Sequence, residues 1–177
     1  MHEFFIEAES FRTLGGWAVD QQSMQTLHSS YILAHGLGVP VADAVTEFSV
    51  DVPGEYSVWA LTRDWTAAWN APDSAGKFEL LADGQALPTL LGTDGAAWDW
   101  QLAGNCFFEK GTHTLALHDL TGFDGRCDAI YLSDSPEKPD AADVIRTRLG
   151  RNEICACDTV YDLIVVGGGV AGVCMAL

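Results

Sequence analysis

The strongest indication of the fold is the stretch Pro53-Gly-Glu-Tyr-Ser-Val-Trp-Ala-Leu-Thr-Arg-Asp64. A Pro-Gly pair marks a turn, and the aromatic and β-branched residues that follow it predict a strand over Glu55–Asp64. Other short strand-like segments, most of them next to a turn signal such as Asp-Gly or Lys-Gly, occur before and after it. These segments are residues 3–9, Lys77–Ala82, Ala97–Leu102, Thr112–His118 and Ala129–Leu132.

Several of these segments alternate apolar and polar residues. Leu115 and Leu117 alternate with smaller or polar neighbours, and Phe78 and Leu80 flank Glu79. A period of two residues predicts strands with one buried and one solvated face, and no stretch before residue 140 shows a convincing helical period. The sequence therefore predicts a mostly β protein, an antiparallel β-sandwich.

Composition limits the partners of this domain. The chain has 177 residues, 48% of them apolar, which is enough for one core and a remnant of a second domain. Nine Lys and Arg against 25 Asp and Glu give a net charge of −16. Such a charge repels phosphate backbones and anionic lipids, so the composition argues against nucleic-acid and membrane-surface binding and favours cations.

The cysteines and the N-terminus bear on location. Five cysteines, at positions 106, 127, 155, 157 and 174, lack the spacing of a disulfide framework and favour a reducing, cytoplasmic environment. Cys155 and Cys157 make up only half of a zinc site, so incidental cysteines are the preferred interpretation. The sequence contains neither a signal peptide nor an apolar run long enough to span a membrane.

A boundary follows the strand-like region. Ser135–Pro139 contains two prolines, which cannot continue a central strand. Ala141–Leu149 is a short helix candidate, with Asp140 as its N-cap and Gly150 as its stop. We therefore assign residues 1–135 to the sandwich and residues 136–160 to a linker with a short helix.

The last stretch, residues 161–177, carries a motif of a different kind. The apolar run Leu163–Val166 predicts a buried strand, and it leads directly into Gly167, Gly169 and Gly172 and a helix-compatible segment. Glycines at this spacing permit a tight turn, the approach of a pyrophosphate and close packing of helix on strand. The alternative is a glycine-rich turn in some other fold.

Tyr161-Asp-Leu-Ile-Val-Val-Gly-Gly-Gly-Val-Ala-Gly172 resembles the N-terminal flavin fingerprint of FAD-dependent oxidoreductases. The resemblance implies that residues 161–177 are the incomplete start of a Rossmann domain, with Gly167, Gly169 and Gly172 at the FAD. In that family an acidic residue about 20 positions past the glycines holds the ribose, and no residue follows Leu177 here. We expect the redox chemistry to belong to the full-length protein, and this fragment to bind no flavin alone.

A second resemblance concerns the two ends of the sandwich. Glu7-Ala-Glu9 opens it and Asp128-Ala-Ile130 lies near its end, and two glutamates two apart on a strand share a face. These ends resemble β-sandwich carbohydrate-binding modules, of the kind found in xanthan-lyase or golvesin-type domains, and the resemblance implies a sandwich of the jelly-roll or galactose-binding-like type. The resemblance implies a structural calcium ion held by Glu7, Glu9 and Asp128. The alternative is a solvated strand face without a metal.

Aromatic and charged residues occur in the predicted terminal loops. Aromatic faces beside hydrogen-bonding side chains suit a sugar, but tryptophans are often buried for packing, and the charged residues also suit an interface with the chain's own C-terminal flavin domain. The charges lead us to prefer an interface over a neutral sugar. The predicted ligand or interface residues are Arg63, Asp64, Trp65, Trp69, Trp98, Trp100, His118 and Arg126.

No catalytic motif occurs in residues 1–135, so the sequence predicts an accessory, carbohydrate-binding-like domain of an FAD-dependent oxidoreductase. Two alternatives stay open: a free-standing glycan-binding module, and a structural or interface domain with no ligand.

Overall fold

The computed structural model describes residues 2–71, 73–151, 160–165 and 174. Two antiparallel sheets pack face to face, which confirms the predicted β-sandwich. The strands are β1 (Glu3–Glu7), β2 (Ala18–Asp20), β3 (Tyr31–His35), β4 (Ala44–Val50), β5 (Gly54–Thr62), β6 (Phe78–Ala82), β7 (Gln85–Ala86), β8 (Asp99–Phe108), β9 (Gly111–Asp119) and β10 (Phe123–Ser133). The α-helices are α1 (Met24–Leu27) and α2 (Ala142–Arg148), and short 3₁₀ turns cover Ala8–Ser10 and Ala67–Trp69.

The first sheet has the order β2-β3-β10-β5-β8, and β1 pairs with β10. The second sheet has the order β4-β9-β6-β7. The quoted stretch forms β5, which lies between β10 and β8 in the first sheet. The long-range pairing of β1 with β10 brings the two ends of the sandwich together, since Glu7 lies opposite Ala129.

The main core lies between the two sheets. Leu115, Leu117, Phe78 and Leu80 are all fully buried there, as their alternation predicted. Phe48 of β4 contacts Phe108 of β8 edge to face, with ring centroids 5.2 Å apart. The period-two pattern thus identified the inward face of the second sheet correctly, because each strand exposes alternate residues to the core.

The outer face of the first sheet is also buried. A second apolar cluster covers it, and its members come from five strands and from both helices: Phe5, Leu27, Tyr31, Leu33, Trp59, Leu61, Trp100, Ala129, Tyr131 and Ile145. The expectation of one wet face per strand is therefore wrong for this sheet. An aromatic-rich outer face needs a cover, and α1 and α2 supply it through Leu27 and Ile145.

The linker helix packs against the sandwich. It starts at Ala142 with Ala141 as its N-cap, whereas the sequence predicted Asp140. Asp140 instead accepts a hydrogen bond from Trp100 Nε1 through its backbone carbonyl (2.8 Å), and its carboxylate accepts one from Arg148 Nη1 (2.8 Å). The side chain of Asp140 therefore binds Arg148 of the same linker rather than capping the helix, and its backbone carbonyl contacts the sandwich.

The flavin-like strand is not confirmed. Residues 163–165, the described part of the predicted strand, carry no strand assignment, and Leu163 and Ile164 are exposed. A strand of this type is stabilised by parallel neighbours, and none pairs with it among the described residues. Val166, Gly167, Gly169, Gly172 and the cysteine pair 155 and 157 lie outside the described residues. No described helix is long and apolar enough to cross a membrane.

Candidate functional site

Two arginines extend the outer face of the first sheet beyond its apolar cluster. Arg63 follows the last residue of β5, and Arg126 lies in the neighbouring strand β10. Arg126 pairs in register with Leu33, a member of the outer cluster. The hydroxyl of Thr62 donates a hydrogen bond to the backbone carbonyl of Arg126 (2.5 Å), which fixes the two strand ends relative to each other.

In the part of the chain that the structure describes, this arginine pair has no carboxylate partner. Neither guanidinium forms an ion pair or a hydrogen bond with the residues that the structure describes, and the Nε atoms of both are buried without a partner. Burial, and then the charge of Arg126, lowers the pKa of Arg63. In a chain of charge −16, five other basic residues do form ion pairs with carboxylates: Arg12, Lys77, Lys138, Arg146 and Arg148.

Two tryptophans lie beside the arginine pair. The guanidinium of Arg126 stacks on Trp65, 5.2 Å from the ring centroid, and Trp65 Nε1 donates to the backbone carbonyl of Phe123 (2.9 Å). Trp69 meets Trp65 edge to face, with centroids 5.7 Å apart and a tilt of 75°. Trp69 is 69% exposed, so its ring is open to a ligand. We call Arg63, Trp65, Trp69 and Arg126 the arginine–tryptophan site.

Asp64 holds the loop that carries Trp65. Its Oδ1 accepts hydrogen bonds from the backbone N–H (2.8 Å) and the hydroxyl (2.6 Å) of Thr66, and its Oδ2 accepts one from the Ser74 hydroxyl (2.8 Å). Burial raises the pKa of this carboxylate, but the bonds from Thr66 and Ser74 outweigh it and the net pKa is lowered. Asp64 is 7% exposed, so it positions the site and does not face a ligand.

A hollow of about 320 Å³ opens beside Arg126. Two carboxylates line it, those of Asp20 and Asp124, but each is already engaged. Asp124 Oδ1 lies 2.7 Å from His35 Nδ1. Asp20 Oδ1 accepts a hydrogen bond from the backbone N–H of Gln22 (2.7 Å). The hollow is therefore lined by the guanidinium of Arg126, which has no hydrogen-bond partner among the described residues, and by two carboxylates that already bind other groups.

The other predicted ligand or interface residues lie elsewhere. Trp98 and Trp100 pack in the outer cluster, and they line a cavity of about 200 Å³ beneath the linker together with Leu27 and Ala142. The side chain of His118 lies on β9 of the second sheet and bonds to Asp43 at 2.8 Å. The predicted set thus divides, and only Arg63, Trp65, Trp69 and Arg126 form one site.

The carboxylates predicted to hold calcium are brought together, but not as expected. Glu7 ends β1, and Glu9 lies in the 3₁₀ turn Ala8–Ser10, so the two do not share a strand face. Asp128 is the extra residue at a bulge of β10, where the pairing with β5 shifts register, and it is fully buried. The local reason is that the chain turns away from the sheet directly after Glu7.

A guanidinium lies among these carboxylates. Arg146 of α2 bonds to both oxygens of Glu7 (2.8 and 2.9 Å) and to Asp128 Oδ2 (3.0 Å). No group of three or more His, Cys, Asp and Glu in the described part of the chain is arranged to hold a metal ion. Calcium binding by Glu7, Glu9 and Asp128 therefore stays a prediction, and one that requires Arg146 to leave.

Burial dominates the electrostatics of this cluster. It raises the pKa of Glu9 to about 7, and the charges of Glu7 and Asp128 add to the rise. One carboxylate oxygen of Glu9 is buried without a hydrogen-bond partner. Burial also raises the pKa of Asp128 to about 6, although bonds from Ser29 and Arg146 act in the opposite direction. Burial therefore favours the protonated forms of Glu9 and Asp128, and the charge of Arg146 favours their ionised forms.

The sequence analysis missed Arg146 as a functional residue. Arg146 lies near the end of a short helix, where basic residues are common because they interact favourably with the helix dipole. The one signal in the sequence is the apolar Ile145 beside Arg146, which indicates that this part of the helix faces a core. In the structure both residues are buried. The sequence could not show that this helix docks beside Asp128, because that contact depends on the path of the linker.

Comparisons with known proteins identify the fold. The sequence matches no protein-family model, and no curated protein is significantly similar to it. Among solved structures, a family 35 carbohydrate-binding module from Clostridium thermocellum superposes with a TM-score of 0.59 at 13% identity, over 76% of this chain and 100% of the module. The family 35 module of Cellvibrio japonicus Abf62 gives a TM-score of 0.53 at 12% identity, over 80% and 100%.

A larger protein shows the same fold as one part of its chain. The Podospora anserina GH26-CBM35 β-(1,4)-mannanase superposes with a TM-score of 0.58 at 14% identity, over 77% of this chain and 28% of the mannanase chain. This chain therefore spans about a quarter of that protein. At these identities the likeness shows that the sandwich has the fold of carbohydrate-binding modules.

Proposed function

We propose that this sandwich is an accessory binding module that takes a saccharide carrying a carboxylate at the arginine–tryptophan site. The observation that carries the proposal is the arginine pair, Arg63 and Arg126, which has no carboxylate partner among the described residues of a strongly acidic chain. The fold of carbohydrate-binding modules supports the saccharide part of the proposal.

The chemistry of a guanidinium favours a carboxylate ligand. Its planar donors match the two oxygens of a carboxylate, and such charge-assisted bonds are stronger than bonds to a neutral hydroxyl. A neutral sugar would leave two adjacent positive charges uncompensated. An anionic group bound between Arg63 and Arg126 would relieve the repulsion that lowers the pKa of Arg63.

The tryptophans supply the second half of a saccharide site. The exposed ring of Trp69 offers an apolar face on which the C–H groups of a sugar ring can pack. Trp65 is held by the stacking of Arg126 and by its bond to Phe123. A sugar with one carboxylate would therefore meet rigid donors on one side and an aromatic face on the other.

The test is a comparison of ligands that differ only in charge. We expect oligogalacturonates to quench tryptophan fluorescence saturably, and their methyl esters to bind at least ten-fold more weakly. Ionic bonds of this kind contribute about 1.5–3 kcal/mol, which corresponds to a factor of about 10 or more. Calorimetric titration of both ligands measures the difference directly.

Variants then locate the binding. Arg126→Gln should weaken oligogalacturonate binding by ten-fold or more, and Trp69→Ala should weaken the acid and the ester alike. Lys110→Gln is a matched control, because Lys110 is exposed in the loop before β9. Equal affinity for the acid and the ester would refute the proposal that the site binds a carboxylate. No response to any saccharide would indicate instead an interface that docks another protein domain.

A second candidate function rests on the glycine motif in the sequence. We propose that the module is appended to an FAD-dependent oxidoreductase, supported by the flavin-like run Tyr161–Gly172 directly after the docked linker. Redox chemistry would then belong to a flavin domain, with Gly167, Gly169 and Gly172 near the pyrophosphate. The sandwich itself would bind a substrate or hold the flavin domain in place.

The flavoprotein proposal has its own test. A gene product extended through a complete second strand should purify yellow and show flavin absorbance, with an acidic residue about 20 positions past Gly172. The chain that ends at Leu177 should bind no FAD, since a mononucleotide-binding half needs about 30 residues or more. Tight FAD binding by residues 1–177 would contradict this expectation.

A further inference from the structure

Three carboxylates come together where the linker helix meets the sandwich. Glu7 contributes from the end of β1, Glu9 from the following 3₁₀ turn and Asp128 from the bulge of β10. Asp128 is fully buried. Like charges this close are unfavourable unless a cation lies between them or a proton is taken up. The cluster therefore requires a cation or a bound proton, and Asp128, buried beside Glu7, is placed to meet a cation.

The guanidinium of Arg146 meets this requirement with a complete set of oxygen partners. Its Nε and Nη2 atoms bind both oxygens of Glu7, and Nη2 also contacts Asp128 Oδ2 (3.0 Å) and Ser29 Oγ (2.9 Å). Its Nη1 donates to the carbonyl of Leu27 (2.8 Å) and contacts Asp143 Oδ1 (3.3 Å). The Arg146 side chain is only 5% exposed.

These partners are chemically what a calcium ion would bind. Five are oxygen atoms of the sandwich, from the carboxylates of Glu7 and Asp128, the Ser29 hydroxyl and the Leu27 carbonyl. The sixth, Asp143 Oδ1, belongs to the linker helix and would leave with it, so water would complete the shell of an ion bound there. Calcium takes six to eight oxygens of these types, at 2.3–2.6 Å. The guanidinium fills the same space with longer bonds, so a metal ion and the docked Arg146 cannot occupy the cluster together.

We propose that Arg146 is the built-in cation of this cluster, that it takes the place of a structural metal ion, and that a divalent cation enters only when the linker helix is released. Glu7, Asp128 and the surrounding oxygens thus bind the linker to the sandwich. The linker helix thus supplies the counter-ion of these carboxylates through Arg146. Metal binding at the cluster and docking of the helix therefore exclude each other.

The test is thermal unfolding of the wild type and of Arg146→Gln, each in EDTA and in millimolar CaCl₂. The wild type should melt at the same temperature in both. Arg146→Gln should melt about 10 °C lower in EDTA, because an unpaired carboxylate is left buried, and CaCl₂ should restore part of the loss. Arg148→Gln is the matched control: Arg148 lies on the same helix, pairs with Glu3 and Asp140, and its loss should create no calcium response.

Terbium luminescence gives a second readout that does not depend on stability. Tb³⁺ bound at the cluster would be sensitised by nearby aromatic residues, so Arg146→Gln should show saturable emission that calcium displaces, and the wild type should show none. Saturable calcium or terbium binding by the wild type would overturn the proposal. If Arg146→Gln folds only when refolded in CaCl₂, the proposal is supported; if calcium neither refolds nor stabilises it, the proposal is wrong.

Discussion

Arg146 Nη2 lies 3.0 Å from Asp128 Oδ2, and this contact joins the linker helix to the bulge of β10. Both side chains are almost fully inaccessible to solvent. The desolvation of two buried charges is recovered only when other hydrogen bonds satisfy them, and here Glu7, Ser29 and Leu27 supply those bonds to Arg146. Arg146 is therefore the buried ionic anchor of the linker, beside the contacts that Asp140, Ile145 and Arg148 make with the sandwich.

The first prediction concerns the linker as part of the folded domain. A chain of residues 1–139, which lacks α2, should be at least about 3 kcal/mol less stable than a chain of residues 1–151. The reason is that Asp128 loses its cation and the outer cluster loses Ile145. Urea unfolding of both chains measures the difference. Equal stability of the two chains would show that the docking of α2 contributes nothing to the stability of the sandwich.

The second prediction concerns pH and Glu9. Burial raises its pKa in the folded state from 4.5 to about 7, so the folded state prefers the protonated form. The stability contribution of Glu9 is therefore fully present below about pH 4.5 and is lost as the pH rises through 7. Glu9→Gln removes the titration, so it should stabilise the protein at pH 8 and change little at pH 5.

Thermal unfolding at both pH values checks the Glu9 prediction. Glu55→Gln is the control, because Glu55 is exposed on β5. An equal effect of Glu9→Gln at pH 5 and pH 8 would mean that the Glu9 carboxylate titrates normally.

The third prediction separates packing tryptophans from the tryptophan open to a ligand. Trp100→Ala should cost about 3–5 kcal/mol, because Trp100 is 6% exposed and its Nε1 binds the linker. Trp69→Ala should change stability by no more than about 0.5 kcal/mol, since its ring is exposed. Chemical unfolding of the two variants tests this contrast, and a large loss for Trp69→Ala would place its ring in a packing role.

The fourth prediction concerns Asp64 as a positioning residue. Asp64→Asn should cost about 1–3 kcal/mol, because one of the hydroxyl or amide donors of Thr66 and Ser74 loses its acceptor. It should also make Trp65 more accessible to acrylamide quenching, since the loop after β5 loosens. Asp94→Asn, in an exposed loop, is the control. Unchanged quenching in Asp64→Asn would show that other contacts hold Trp65.

The carboxylate of Asp64 should also make the stability of the protein depend on pH under acidic conditions. Hydrogen bonds lower its pKa below 3.8 in the folded state, despite burial. Its contribution to stability is therefore present above the unfolded pKa and is lost as the pH falls through the lowered folded value. Asp64→Asn should accordingly weaken the protein at pH 7 and make less difference under strongly acidic conditions.

The sequence alone determined the sandwich and most of its strands. Alternation is a local property, so Leu115 and Leu117 of β9 and Phe78 and Leu80 of β6 could be assigned to the core without knowing their partners. Four strands, β2, β3, β4 and β7, were not identified, and two of them, β2 and β7, have only three and two residues. The meeting of Glu7 with the Asp128 region also followed from the sequence, through the resemblance of its two ends to carbohydrate-binding modules.

Only the tertiary structure determined which cation lies beside Glu7 and Asp128, and which arginines have no carboxylate partner among the described residues. Arg146 and Glu7 are far apart in the chain, and only the docking of α2 on the outer face brings them within 2.8 Å. Arg63 and Arg126 become neighbours because β5 and β10 pair, a long-range choice that no local pattern encodes. Local sequence sets which face a side chain occupies, whereas the charge that it finds there depends on strand pairing and on the path of the linker.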